Sequence, residues 1–132
     1  MSGLFSSDWM NGFMSAWNGT DELSGALEKI GFNSVIGYGF PDDDAPCGVI
    51  TVENGKVVNA GPFDGQDLSW DMRASEAQWQ KWMKKAPGMA GLGLAVTSGK
   101  LKFKVGDYGA MLKDPRMANP FIKSFSVMGA VG

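Results

Sequence analysis

The sequence predicts an α+β domain in which strands and helices are segregated along the chain, and three patterns carry that reading. From Gly99 to Asp107 apolar and basic residues alternate with a period of two, the mark of a strand with one oily face. Asn54-Gly55 lies between the apolar runs Val49-Ile50-Thr51-Val52 and Val57-Val58, and its tolerance of positive φ marks a tight antiparallel hairpin. Ser75-Glu76-Ala77-Gln78 fits a capping box, in which Ser75 accepts from the Gln78 amide at the start of a helix.

The elements follow in order along one domain, 1–132, with an N-terminal helical segment over 5–31. Phe5, Trp9, Met10, Phe13, Met14 and Trp17 fall on one helical face, with Ser6 or Ser7 as the cap and Asn18-Gly19 as a left-handed stop. Thr20 is positioned to cap a second helix, Asp21 and Glu22 complement its dipole, and Leu23, Leu27 and Ile30 form its buried stripe up to Gly31. A first strand spans Ser34 to Phe40, and a Pro41-to-Pro46 turn leads into the hairpin. Leu68, Trp70 and Met72 alternate with Ser69, Asp71 and Arg73, which gives a fourth strand with an apolar and a polar face. The capped helix then carries Trp79, Trp82, Met83 and Ala86 and stops at Pro87-Gly88, and Met89, Leu92 and Val96 suggest a further short helix. Leu101, Phe103 and Val105 form the inward side of the fifth strand, and Lys100, Lys102 and Lys104 the wet side. Gly106 turns the chain, and Asp107 is positioned to cap a helix bearing Tyr108, Met111 and Leu112. Asn119-Pro120 reads as cap and first residue of a closing helix with Phe121, Phe125 and Met128.

Composition narrows the chemistry. The chain has no histidine, which removes a Ser-His-Asp triad, a Cys-His pair and every histidine-ligated metal site. Its one cysteine, Cys47, has no base or cation beside it in sequence and reads as structural. Asp42-Asp43-Asp44 lacks the spaced ligands of a calcium loop and reads as a solvated turn. Gly91-Leu92-Gly93-Leu94 has neither the preceding strand nor the third glycine of a dinucleotide loop. Asp71 and Arg73 read as a surface pair on the polar side of their strand. No metal, no cofactor and no catalytic residue is expected, and an enzyme using carboxylates alone ranks well below a binding protein. The net charge of −2, from 12 basic and 14 acidic residues, shows no stripe suited to a row of phosphates, so nucleic acid is not an expected partner.

Apolar runs are interrupted before the ~18 residues that a membrane span needs. Met1-Ser2-Gly3-Leu4 has no signal-peptide pattern and Gly129-Ala130-Val131-Gly132 no peroxisomal address, so the expected compartment is the cytoplasm. Nine methionines, five tryptophans and eight phenylalanines stand out in so short a chain; taken singly each reads as core before ligand wall, although Met adapts its shape to variable neighbours and suits a cavity lining.

The run Gly99-Lys100-Leu101-Lys102-Phe103-Lys104-Val105-Gly106-Asp107, entering an amphipathic helix, resembles the C-terminal signature of the sterol carrier protein 2 family. That pattern is roughly Gly-Lys-Leu-Lys-(aliphatic)-x-Gly-(Asp/Asn), with Phe103 here in place of the usual aliphatic residue. From about Ile36 to Phe125 the order of elements is similar to a sterol carrier domain, in the form of a bacterial stand-alone protein. The resemblance implies a five-stranded, largely antiparallel sheet covered on one face by helices, with an apolar tunnel closed by the C-terminal helix. It implies non-catalytic binding or transfer of a fatty acyl chain, a sterol-like molecule or an isoprenoid.

For such a ligand the candidate contacts are Leu68, Trp70, Met72, Leu101, Phe103 and Val105 from the sheet. Trp82, Met83, Met89, Leu92, Met111, Phe121 and Phe125 are the candidates from helices and rim. Each buried methylene contributes roughly 0.8 kcal/mol, so few polar contacts are needed. The alternative is an accessory module that uses exposed aromatic surface, with the N-terminal helix as its candidate, to dock on an enzyme handling hydrophobic substrates or on a second copy.

Overall fold

The computed structural model describes residues 4–86, 88–106 and 108–131, without the side chains of residues 89, 90 and 112. Five strands, β1 (Ser34–Gly39), β2 (Gly48–Glu53), β3 (Lys56–Pro62), β4 (Trp70–Arg73) and β5 (Lys102–Val105), form one sheet in the order β3-β2-β1-β4-β5. All neighbours are antiparallel except β1 and β4. The parallel pair arises because the chain leaves β3 at one edge and crosses to the far side of β1 before it forms β4.

Alternation sorts the strands into two faces. Ile36, Tyr38, Ile50, Val52, Val57 and Met72 point to the front and are buried there. Helix α1 (Ser7–Asn18) and helix α2, a π-turn Asp21–Gly25 that continues as Ala26–Glu28, pack on this face. Also on it are α3 (Glu76–Lys84), α4 (Met89–Thr97) and the closing helix α6 (Pro115–Val131), with the short α5 (Tyr108–Lys113) between β5 and α6. The aromatic stripe of α1 is entirely inside: Phe5, Trp9, Phe13 and Trp17 are buried. Trp17 Nε1 donates to Gly55 O at 2.9 Å, and the Asn18 side chain pairs with both the amide and the carbonyl of Val57, so the end of α1 is fastened to the β2–β3 hairpin. Among the described residues no helix is long and apolar enough to cross a membrane.

Local signals worked where the cap is short-range. Ser6 accepts from Trp9 N and Ser75 from Gln78 N, both at 3.2 Å, and Asn54 and Gly55 turn the hairpin at φ 51° and 82°. Three expectations are corrected. Gly19 is right-handed (φ −81°), because Asn18 is held by β3 and the chain continues directly into the next helical turn. Thr20 gives α2 no side-chain cap, since its hydroxyl donates back to Ala16 O. The closing helix starts at Pro115 rather than Pro120: Asp114 accepts from Arg116 N and from the amides of the first turn, and Pro120 sits inside the helix. Asp107, the expected cap of α5, and Pro87, part of the expected stop of α3, lie outside the described residues.

The back face is covered by chain rather than by helices. Residues 40–46 fold over β1, where a Cβ on Gly37 would come within 3.1 Å of the Pro46 ring and one on Gly39 within 3.0 Å of the Pro46 backbone. Glycine at both positions lets the loop lie against the sheet. Under this cover Asp71 and Arg73 are 5% and 1% exposed, so the expected surface pair is a buried one. Arg73 Nε and Nη2 meet the two Asp71 carboxylate oxygens at 2.6 and 3.0 Å, and Nη1 donates to Phe40 O and Asp43 O at 3.1 and 2.8 Å. One guanidinium therefore saturates a buried carboxylate and pins the loop.

Candidate functional site

The core opens at one end into an apolar cavity of about 40 Å³. Its walls are Ile36 of β1, Trp70 and Met72 of β4, Leu23 and Leu27 of α2, Trp17 of α1, and Phe32, Met111, Met117 and Phe121. None of these side chains is titratable, and Trp17 spends its N–H on Gly55 O, so the wall offers dispersion and desolvation rather than acid, base or nucleophile. Among the described residues no three His, Cys, Asp or Glu side chains converge to hold a metal ion. The buried Tyr38 hydroxyl is held well above its usual range by desolvation and stays neutral.

A continuous tunnel, as the resemblance implied, is not seen. The space admits about three water-sized spheres, because phenylalanine and methionine side chains fill the remainder. Phe32, Trp70, Met111 and Met117 also form one side of an open groove of about 760 Å³ that runs past Lys29, Ser34, Ser69 and Arg116. These four residues are the partition between cavity and solvent. Two of them are methionines, whose rotamers interconvert at small cost. Trp70 is held edge-on against Phe103 at 5.9 Å, and Gly106 (φ 107°) passes so close to its indole that a Cβ would collide with the ring. At the groove's rim Arg116 donates to both carboxylate oxygens of Asp114, and these bonds hold the Asp114 carboxyl below its ordinary range.

Of the residues singled out from sequence, Trp70, Met72, Met111 and Phe121 are in the cavity wall. Phe125 and Trp82 stand behind it, linked through Phe121–Phe125 and Trp82–Phe125 contacts at 5.2 and 5.4 Å. Leu92 is buried in the core, Met83 packs half-buried beneath Gly129, and the Met89 side chain lies outside the described residues. Leu101 and Phe103 border a shallow hollow on the outer surface with Val96 and Tyr108. Val105 is 41% exposed. A bulge at Lys104 pairs Met72 with Phe103 but Asp71 with Val105, which turns Val105 to the back of the sheet. Leu68 also lies on the back, against Gly37, because β4 begins only at Trp70 and the alternation does not extend through Ser69.

Trp17, Leu23, Leu27, Phe32, Ile36 and Met117 complete the wall and were not among the candidates. Leu23 and Leu27 were visible as a helical stripe, but nothing local distinguishes a stripe that meets a void from one that meets a solid core.

Comparison with solved structures gives the fold its relatives. A crystal structure of sterol carrier protein 2 superposes with a TM-score of 0.77 over 98% of this chain and 100% of that one, at 17% identity. A solution structure of a conserved hypothetical protein from Thermus thermophilus, raised as a candidate sterol carrier protein, matches with a TM-score of 0.68 over 100% and 93% of the two chains, also at 17% identity. No protein-family profile and no curated protein sequence matches the chain. The architecture is therefore that of sterol carrier protein 2, and it includes the aromatic N-terminal helix.

Proposed function

We propose that the protein is a non-catalytic carrier that binds a hydrophobic molecule, such as a fatty acyl chain, a sterol-like ring system or an isoprenoid, between the front of the sheet and helices α2, α5 and α6. The observation that supports this reading most is an uncharged core void separated from an open groove by Phe32, Trp70, Met111 and Met117. A chain entering from the groove would displace Met111 and Met117 and lengthen the void along Leu23, Leu27 and Ile36. Each buried methylene would contribute about 0.8 kcal/mol. The fold likeness points the same way. The accessory-module reading has less support, since the aromatic face of α1 is spent in the core.

Titration with palmitate, a sterol and a prenyl alcohol, followed by tryptophan emission and melting temperature, tests this. Trp17 and Trp70 line the cavity, so saturable emission changes and a rise in melting temperature are expected for at least one ligand class. Met111→Trp, which fills the void, should abolish the response while the protein stays folded. No response to any of the three would remove the carrier reading.

A further inference from the structure

The net charge hides a segregation along the chain. Residues 77–106 carry six lysines, Lys81, Lys84, Lys85, Lys100, Lys102 and Lys104, and no acidic residue, although the chain as a whole is acidic. Lys81 and Lys84 are on α3, Lys85 follows its last residue, Lys100 lies in the turn before β5, and Lys102 and Lys104 are on β5. Among the described residues none of them forms an ion pair, whereas Lys56, Lys123, Arg73 and Arg116 all do.

Four of these lysines, Lys81, Lys85, Lys100 and Lys102, border hollows shared with α4, whose nine residues include no charge. Leu94 on this helix is 68% exposed, the most exposed large apolar side chain among the described residues. The hollow on one side of α4 is lined by Lys81, Lys85, Lys100, Trp82 and Leu94. On the other side Val96 borders a second hollow with Lys102, Phe103 and the exposed Tyr108. Apolar side chains at the centre and unpaired cations around them are what a monotopic lipid-binding surface needs. The lysines approach anionic headgroups, and Leu94 and Tyr108 reach the acyl boundary. Nucleic acid would meet the lysines equally well but would leave Leu94 facing a polar backbone.

We propose that the α3–α4–β5 face is a docking surface for an anionic phospholipid membrane. This goes beyond the carrier reading and does not depend on what the core cavity holds.

The test is co-sedimentation of the full chain with vesicles of phosphatidylcholine alone and of phosphatidylcholine with phosphatidylglycerol. Binding is expected only to the anionic vesicles, and it should weaken as salt rises. Each lysine near the surface should be worth about fivefold in partitioning, so Lys81→Glu/Lys85→Glu/Lys100→Glu should reduce it by about a hundredfold or more. Leu94→Ser should reduce it several-fold, and Lys56→Glu, outside the face, should leave it unchanged. All these positions are exposed, and unchanged melting temperatures would verify that the variants fold. The proposal is overturned by failure of the wild type to bind anionic vesicles, by equal binding to neutral ones, or by retention in the triple variant. It is also overturned if a DNA duplex of matched charge competes the protein off the vesicles, or if the protein is a dimer in solution that Leu94→Ser dissociates, which would give the face to a second copy.

Discussion

The two faces of the sheet are closed by opposite means. On the front, Phe5, Tyr38, Trp79, Trp82 and Phe125 form a run of rings with centroids 5.3 to 6.2 Å apart, most of them edge to face, drawn from the segment before α1, from β1, from α3 and from α6. On the back, two glycines admit a loop against bare backbone, and a single arginine bonds a carboxylate and two loop carbonyls. The front is held by area and dispersion, which tolerate local rearrangement. The back is held by a few directional bonds, which do not. On the proposed carrier function, the front would loosen for a ligand while the back keeps the strands in register.

The sharpest probe of the front is Trp79→Ala. Trp79 is fully buried, touches four other rings, and donates from Nε1 to Gly39 O at 3.0 Å, so it also ties the front to the strand beneath the back loop. Its truncation should cost about 3–5 kcal/mol in urea unfolding, enough to leave a domain of this size barely folded. A loss under about 1 kcal/mol would mean that the aromatic run is not the structural centre of the front.

On the back, Arg73→Met should cost about 3 kcal/mol, because it leaves the buried Asp71 carboxylate without its partner and takes the side-chain donor from the Asp43 carbonyl, while Phe40 O keeps the Asp43 amide. The double variant Asp71→Leu/Arg73→Met should recover only part of that loss, since the Asp43 carbonyl still lacks its Arg73 donor. Full recovery would show that the loop is held by its apolar contacts and that the contrast between the faces is weaker than the bonding suggests.

These two residues also mark how far the sequence was legible. Trp79 lies in a helix whose cap, stripe and inward face can all be read from Ser75 to Ala86, because each signal is local. Period-two alternation shows that Asp71 and Arg73 share the face opposite Met72, but it says nothing of what covers that face. The clue was the pair Gly37 and Gly39 inside a strand, a pattern that marks close approach of another backbone. The closing helix shows the same limit: Asp114-Pro115 and Asn119-Pro120 are both acceptable starts, and the contacts of the first turn decide for the earlier one. Within the site, Trp70, Met72, Met111 and Phe121 were legible from the apolar faces of β4, α5 and α6. Trp17, Leu23, Leu27, Phe32, Ile36 and Met117 were missed because their convergence on one void is a property of packing alone.

The mildest probe reports on the back loop without disturbing it. Cys47 closes the loop, and its thiol donates to Asp43 Oδ2 at 3.7 Å. Burial is the main reason that the thiol is held above its ordinary range, and the charge and hydrogen bond of Asp43 add to it, while Arg73 partly offsets them. The folded state therefore holds the thiol proton more tightly than the unfolded chain does. The small stabilisation is complete below the unfolded thiol pKa and disappears as pH rises through the folded one. Alkylation by iodoacetamide needs the thiolate, so its pH midpoint in the native protein should lie above that of the urea-unfolded chain. Comparing midpoints rather than rates separates this from steric shielding. Asp43→Asn should move the midpoint down, and Arg73→Met, if folded, should move it up. Coincident midpoints for the native and unfolded chains would show that the loop stands off the sheet in solution, and the back face would then be far less closed than the bonding to Arg73 indicates.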